Sequence, residues 1–238
     1  MSIWRRLAKA VPDLSIEAQI SALLGGSKNE AGLRAKPSPA PDSEIPFTVG
    51  VIALSAKMAK ADGTVSTYEV GAFKQAFRVS PAEMREAAPI FNAAKRDAGD
   101  HAAYAQQLVA VLHGNRKLLE DVLDGLFHIA KADDQFHPQE LQFLSEVARQ
   151  FGFNEAQFNS IKARHVAAAE RNPYEVLGVD RSIGAKELEA RYRSLLADCQ
   201  PDALVGRGVP REFVDTIANE KRTALVEAYE AIVKGRKS

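Results

Sequence analysis

Two pairs of carboxylates recur in the chain within the same short pattern. Asp62 and Glu69 lie in the stretch AKADGTVSTYE, and Asp133 and Glu140 lie in the stretch AKADDQFHPQE. Carboxylate oxygens are the ligands that hard cations such as calcium and magnesium prefer. If the two turns meet in the folded chain, the four side chains could surround such a cation. The spacing differs from that of an EF-hand, whose ligands alternate along a longer loop.

A structural explanation of the same carboxylates needs no metal. Asp62 and Asp133 would end helices through turn chemistry. Glu69 and Glu140 would stabilise the first turn of the next helix, where the partial charge is positive. Both explanations stay open on the sequence, and a divalent cation is the only cofactor that it suggests. No pair of histidines has the spacing of zinc ligands, so zinc is not expected.

The elements that would position these carboxylates form an internal repeat. The two stretches are 71 residues apart, and the same offset superposes Val51 on Val122 and Met58 on Ile129. Apolar residues recur at helical spacing, and no segment alternates long enough to predict a strand. Neither helix-turn-helix unit could cover its apolar stripe alone. The sequence therefore predicts an all-α bundle with an internal pseudo-twofold repeat.

The doubled pattern in a helical context resembles the TerB family, which is named for tellurite resistance. The resemblance extends from about Phe47 to His165. It implies a compact helical fold, a part in stress responses and acidic residues suspected of binding metal ions. On this chain those acidic positions are the four introduced above, namely Asp62, Glu69, Asp133 and Glu140.

The remaining sequence after residue 170 predicts a helical hairpin. Pro173 begins a short helix that Gly178 ends, and longer helices are predicted over 185–198 and 211–234. Residues 200–210, rich in Gly and Pro, are predicted as the loop between them. The last helix is predicted to turn its large apolar residues toward the core of this hairpin: Phe213, Ile217, Leu225, Tyr229 and Ile232.

The motifs of this hairpin resemble the J-domain of DnaJ-type co-chaperones, from about Asn172 to Lys237. They are NPYEVLGV, ELEARYRSLL, QPDALV and ALVEAYE, and the longer loop resembles the DjlA-type subgroup, which also joins a TerB-like domain to a C-terminal J-domain. The resemblance implies docking on a DnaK-type chaperone ATPase through a His-Pro-Asp tripeptide and a basic helix face. The matching residues are Gln200, Pro201, Asp202, Lys186, Arg191 and Arg193. Gln200 stands where the family has histidine, and glutamine lacks the shape and the titration of imidazole.

The chain is predicted to divide into four segments. They are an amphipathic segment over 1–24, a flexible linker rich in Pro, Gly and Ser over 25–46, a TerB-like domain over 47–170 and a J-like module over 171–238. The first segment could contact a membrane surface or a partner, or it could dock on the protein itself. No run of apolar residues is long enough to predict a membrane span.

Composition narrows the function. Lys and Arg together equal Asp and Glu at 31 each, so no basic field favours nucleic acid. One cysteine suits the cytoplasm, and no phosphate-binding glycine loop or nucleophile motif indicates an enzyme. The leading hypothesis is a co-chaperone adaptor that engages a DnaK-type ATPase and recruits a client protein. The alternative is a metal-binding or stress-response protein whose J-like module is only a scaffold.

Overall fold

A computed structural model describes residues 3, 6, 43–61, 71, 74–79, 100–131 and 136–236. Every regular element in this part of the chain is helical, which confirms the predicted all-α class. One short 3-10 turn spans Ala168–Glu170. The helices are α1 Glu44–Ala61, α2 His101–Val111, α3 Arg116–Ala130, α4 Pro138–Gln150, α5 Glu155–Ala163, α6 Pro173–Leu177, α7 Ala185–Asp198, α8 Pro201–Arg207 and α9 Arg211–Gly235.

Local capping chemistry explains several of these helix ends. The Asn115 side chain accepts a hydrogen bond from the Leu118 amide at 3.3 Å and so caps α3. Asn154 caps α5 in the same way. Gly178 ends α6 in the left-handed region at φ 60°, a conformation that glycine adopts without a steric penalty. These three helix ends therefore lie where the local sequence predicts them.

Two predicted boundaries were wrong. Helix α1 begins at Glu44, inside the segment predicted as a linker, because Pro46 falls in the first turn, where its missing N–H is no loss. Apolar spacing in the sequence also predicts a helix over 154–170, but α5 ends at Ala163. Just beyond this end, the side chains of Arg164 and His165 contact the carboxylates of Glu120 and Asp124 on α3.

The core of the TerB-like domain is built around α1 and α3. Val51 and Met58 of α1 and Val122 of α3 are fully buried, and Ile129 is 2% exposed. These are the positions that the sequence repeat superposes, so both first helices of the predicted units serve as core helices. Of the second helix of the first unit, only residues 71 and 74–79 are described.

The last helix serves two cores rather than one, which corrects the prediction for it. Phe213 and Ile217 join the core of the TerB-like domain. Leu225, Tyr229 and Ile232 join a smaller core with α6 and α7. The reason is length: α9 has 25 residues and α7 has 14, so the first half of α9 extends about 15 Å beyond its hairpin partner.

Aromatic packing joins that first half of α9 to the TerB-like domain. The Phe213 ring stacks on Phe77 with centroids 4.3 Å apart and lies tilted against Phe47 at 5.8 Å. Gly125 of α3 leaves the space that this requires, because a Cβ atom there would lie 2.8 Å from Phe213 Cε1. The J-like module is thus inserted into the neighbouring core.

Near the start of the chain, Ile3 and Arg6 contact the folded body. Ile3 is 1% exposed and its amide donates to Glu212 Oε1 at 3.0 Å. Arg6 pairs with Glu44. The other residues of the predicted amphipathic segment lie outside the described part.

Among the described residues, no helix combines the length and the apolar character that crossing a membrane requires.

Candidate chaperone-docking site

The Gln-Pro-Asp tripeptide lies at an exposed corner of the J-like module. Helix α7 ends at Asp198, and Gln200 is the N-cap of α8. Pro201 occupies the first turn, where its fixed φ suits a helix start, and the Asp202 carboxylate faces the positive end of the helix. All three tripeptide residues are exposed.

The predicted loop over 200–210 was therefore wrong, because residues 201–207 form α8. Gly206 and Gly208 favoured a loop on the sequence. Gly208 does end the helix at φ 108°, but Gly206 lies within it. Burial of Leu204 against the TerB-like core compensates for the weak helix propensity of glycine.

The Gln200 side chain folds back toward α7. Its Nε2 donates to the Leu196 carbonyl oxygen at 3.2 Å, and the Cys199 thiol donates to the same oxygen at 3.3 Å. This contact uses one donor of the amide and leaves its oxygen accessible. The residue in the histidine position can therefore still offer an acceptor to a partner.

The three predicted cations of α7 do not share one face. Lys186 and Arg193 are two helical turns apart and lie on the same side, whereas Arg191 points about 140° away from Lys186. Arg191 Nε donates to the Leu177 carbonyl oxygen at 3.0 Å and so ties α7 to α6. Arg193 pairs with Glu189 at 2.5 Å on an exposed surface. Two of the predicted docking cations thus form a common face, and the third supports the fold of the module.

A buried ionic cluster lies between the J-like module and α3, and the sequence analysis missed it. Asp121 is fully buried, and it pairs with Arg207 of α8 at 2.5 Å and with Lys221 of α9 at 2.8 Å. Asp124, also buried, pairs with Lys221 at 2.6 Å and with Arg164 at 3.5 Å. A charged residue inside an apolar stripe was the available signal, since Asp121 and Asp124 flank Val122 on α3.

The charges of this cluster stabilise one another against burial. Burial alone would raise the pKa of Asp124, but the Lys221 ammonium and the Arg164 guanidinium hold that pKa well below its usual value. Burial would lower the pKa of Lys221, and the carboxylates of Asp121 and Asp124 instead raise it. Both groups are charged at neutral pH.

Two histidines extend the cluster. His165 Nε2 lies 2.9 Å from Asp124 Oδ1, and its ring stacks on Phe127 with centroids 5.1 Å apart. His128 Nδ1 lies 2.7 Å from Glu220 Oε1. Burial would raise the pKa of Glu220, but the hydrogen bond with His128 and the nearby His165 ring keep that pKa far below its usual value.

Of the four residues of the predicted metal site, the structure describes only Glu140. Asp62, Glu69 and Asp133 lie outside the described residues, and the hypothesis that they bind a cation stays a prediction. Glu140 is described: it is 2% exposed and accepts a hydrogen bond from the His137 amide at 2.9 Å. That bond belongs to the first turn of α4, as the structural explanation predicts. Across the described part of the chain, no cluster of three or more acidic, His or Cys side chains has the arrangement of a metal site.

Comparison with known proteins gives one family and a set of relatives. The family model for the tellurite resistance protein TerB matches residues 48–163. The co-chaperone protein DjlA of Photobacterium profundum is 27% identical over 219 residues, which cover 81% of this chain and 79% of that protein. The protein of the same name from Shewanella oneidensis is 24% identical over 234 residues, or 92% of this chain and 84% of that protein.

A shorter match has higher identity. The co-chaperone protein DjlA of Vibrio cholerae is 31% identical over 150 residues, which cover 51% of this chain and 52% of that protein. No solved structure matches the chain. All three relatives carry the name co-chaperone protein DjlA. Residues 48–163 of the chain are thus similar to TerB, and most of its length is similar to co-chaperones of the DjlA type.

Proposed function

We propose that this chain is a non-enzymatic adaptor that engages a DnaK-type chaperone ATPase through its J-like module, while its TerB-like domain recruits a client or partner protein. The observation that carries the proposal is the exposed Pro201-Asp202 pair at the start of α8. It lies beside the end of α7, whose outer face holds Lys186 and Arg193. Similarity to co-chaperones along both segments supports the same role.

Each docking residue has a distinct task in this proposal. The Asp202 carboxylate is exposed and makes no ion pair with another described residue, so it can pair with a cation of the chaperone. Pro201 fixes the backbone at the helix start and lowers the entropy lost on docking. Lys186 and Arg193 supply the positive face that attracts an acidic surface and raises the association rate.

We expect Gln200 to affect the stimulated rate of ATP hydrolysis rather than the affinity for the chaperone. Its amide can accept a hydrogen bond, but it cannot become a cation or present an imidazole ring. We therefore expect binding to the chaperone with weak acceleration of ATP hydrolysis. The salt bridge between Arg193 and Glu189 further reduces the positive face and favours a modest affinity.

Single-turnover ATP hydrolysis by the DnaK-type chaperone tests this function, combined with binding measured by calorimetry. The wild-type chain should bind with little stimulation, and Gln200→His should raise the stimulated rate about tenfold or more, because it restores the missing ring. Asp202→Asn should weaken binding about tenfold or more by removing an ion pair with the partner.

Asp180→Asn is the matched control, because Asp180 is an exposed carboxylate of the same module near the opposite end of α7. It should leave both measurements unchanged. The proposal fails if neither the wild-type chain nor Gln200→His binds the chaperone, or if Asp180→Asn and Asp202→Asn weaken binding equally.

A further inference from the structure

Arg207 joins the three elements that surround the Gln-Pro-Asp corner. Its guanidinium contacts both oxygens of Asp121 on α3, with Nε to Oδ2 at 2.5 Å and Nη2 to Oδ1 at 3.1 Å. Its Nη1 also donates to the carbonyl oxygen of Asp198, the last residue of α7, at 2.8 Å. One side chain of α8 therefore connects α8, the end of α7 and the TerB-like domain.

The contact between Arg207 and Asp121 fixes the orientation of α8 relative to α3. A two-point contact between guanidinium and carboxylate restricts the relative orientation of both groups, unlike a single ammonium contact. The Arg207 side chain is 12% exposed and that of Asp121 is fully buried, so solvent screens the pair weakly. Lys221 holds Asp121 from the other side at 2.8 Å.

The Arg207–Asp121 contact sets the orientation of the Gln-Pro-Asp corner. Helix α8 has seven residues and is about 10 Å long, so a small rotation at Arg207 displaces Pro201 and Asp202 at its other end. Leu204, fully buried, provides a second fixed point between the two ends. Without the Arg207 contact, α8 would be free to turn about Leu204.

We propose that Arg207 is a positioning residue for chaperone docking and that Asp121 of the TerB-like domain is the counter-ion that holds it in place. Docking by the J-like module then depends on a carboxylate from the other domain. This inference rests on the proposed function and adds a residue that positions the same Gln-Pro-Asp corner.

Arg207→Met in the full chain is the test, because Asp121 keeps Lys221 as a partner and the cluster is not left without a cation. Hydrogen exchange is followed at the Leu204 amide, which donates to the Gln200 carbonyl oxygen at 3.0 Å. We expect about tenfold faster exchange there and about tenfold weaker binding to the DnaK-type chaperone. Arg207→Lys should recover only part of the affinity, because an ammonium cannot contact Asp121 in two places.

Lys117→Met is the matched control, because it removes an inter-module pair with Asp198 that is largely exposed. It should change neither exchange at Leu204 nor binding. Unchanged exchange in Arg207→Met would overturn the positioning role whatever the binding result. Faster exchange with unchanged affinity would overturn the link to docking while the proposed function stands. A wild-type chain that does not bind would instead end the proposed function, and exchange at Leu204 would still decide whether Arg207 holds the corner.

Discussion

Lys221 is the cation that both buried carboxylates of α3 share. Removing its charge would leave the buried carboxylates of Asp121 and Asp124 with fewer partners. We expect Lys221→Met to lower the free energy of unfolding by about 3–5 kcal/mol, the cost of breaking a buried ion pair on one side. Urea unfolding followed by circular dichroism measures this.

The exposed ion pair between Lys117 and Asp198 is the control for the buried pairs of Lys221. Lys117→Met should cost less than about 1 kcal/mol, because water screens the lost interaction. Equal losses in Lys117→Met and Lys221→Met would show that the buried cluster contributes no special stability.

The same cluster predicts how stability depends on pH. Glu220 and Asp124 have pKa values below those of the unfolded chain, so their contribution is present above about pH 4 and is lost as the pH falls toward the folded-state values. The free energy of unfolding should therefore decrease from about pH 4 downward. Glu220→Gln should make this decrease shallower. If the free energy of unfolding falls equally steeply below pH 4 in the wild-type chain and in Glu220→Gln, the role assigned to Glu220 is wrong.

The resemblance to J-domains gave Pro201 and Asp202 as docking residues. Both are exposed, and their docking role stays a prediction. Arg191 was grouped with the docking cations, yet it binds a backbone carbonyl of its own module. The buried cluster was missed because Asp, Lys and Arg normally face solvent, and only the tertiary contact between α3, α8 and α9 shows why these are buried.

At the scale of elements, two glycines with opposite environments test the helix ends. Gly178 ends α6 at φ 60°, and an added Cβ would lie 3.3 Å from Ser160 Oγ. Gly206 lies within α8, with nothing within 4 Å of an added Cβ. Gly178→Ala should destabilise the chain by about 1–2 kcal/mol, and Gly206→Ala should stabilise it by about 0.5–1 kcal/mol.

Thermal unfolding of both variants measures the two effects against the wild-type chain. Shifts of the same sign would contradict the backbone conformations described for these positions.

Helices α7 and α9 were predicted to within one residue of their bounds, because their apolar residues recur at helical spacing. Helix α8 was not predicted, because Gly206, Gly208 and Pro210 have the composition of a loop. What stabilises α8 is the burial of Leu204 and the pairing of Arg207, and both depend on residues far away in the sequence. Local sequence signals carry no record of such contacts.

For the whole molecule, the packing of Phe213 predicts cooperative unfolding. This ring belongs to the J-like module by sequence and to the TerB-like core by contact. Phe213→Ala should lower stability by about 3–5 kcal/mol and should shift the unfolding of both modules together. Hydrogen exchange with mass spectrometry, following α1 and α7 separately during urea unfolding, measures this.

Two separate transitions, with only α7 affected by Phe213→Ala, would contradict that prediction. Tyr229→Ala is a useful comparison, because its ring stacks on Tyr192 inside the smaller core, with centroids 4.1 Å apart.

Because α9 contributes residues to both cores, the position of a cut matters for anyone who wishes to shorten or recombine this protein. Cutting the chain near residue 170 would strip Phe213, Val214 and Ile217 of their covering and would open a matching gap beside Gly125. Both fragments would present apolar surface to water and would tend to aggregate. A chimera that keeps the larger core intact would need to carry the first half of α9 together with the TerB-like domain.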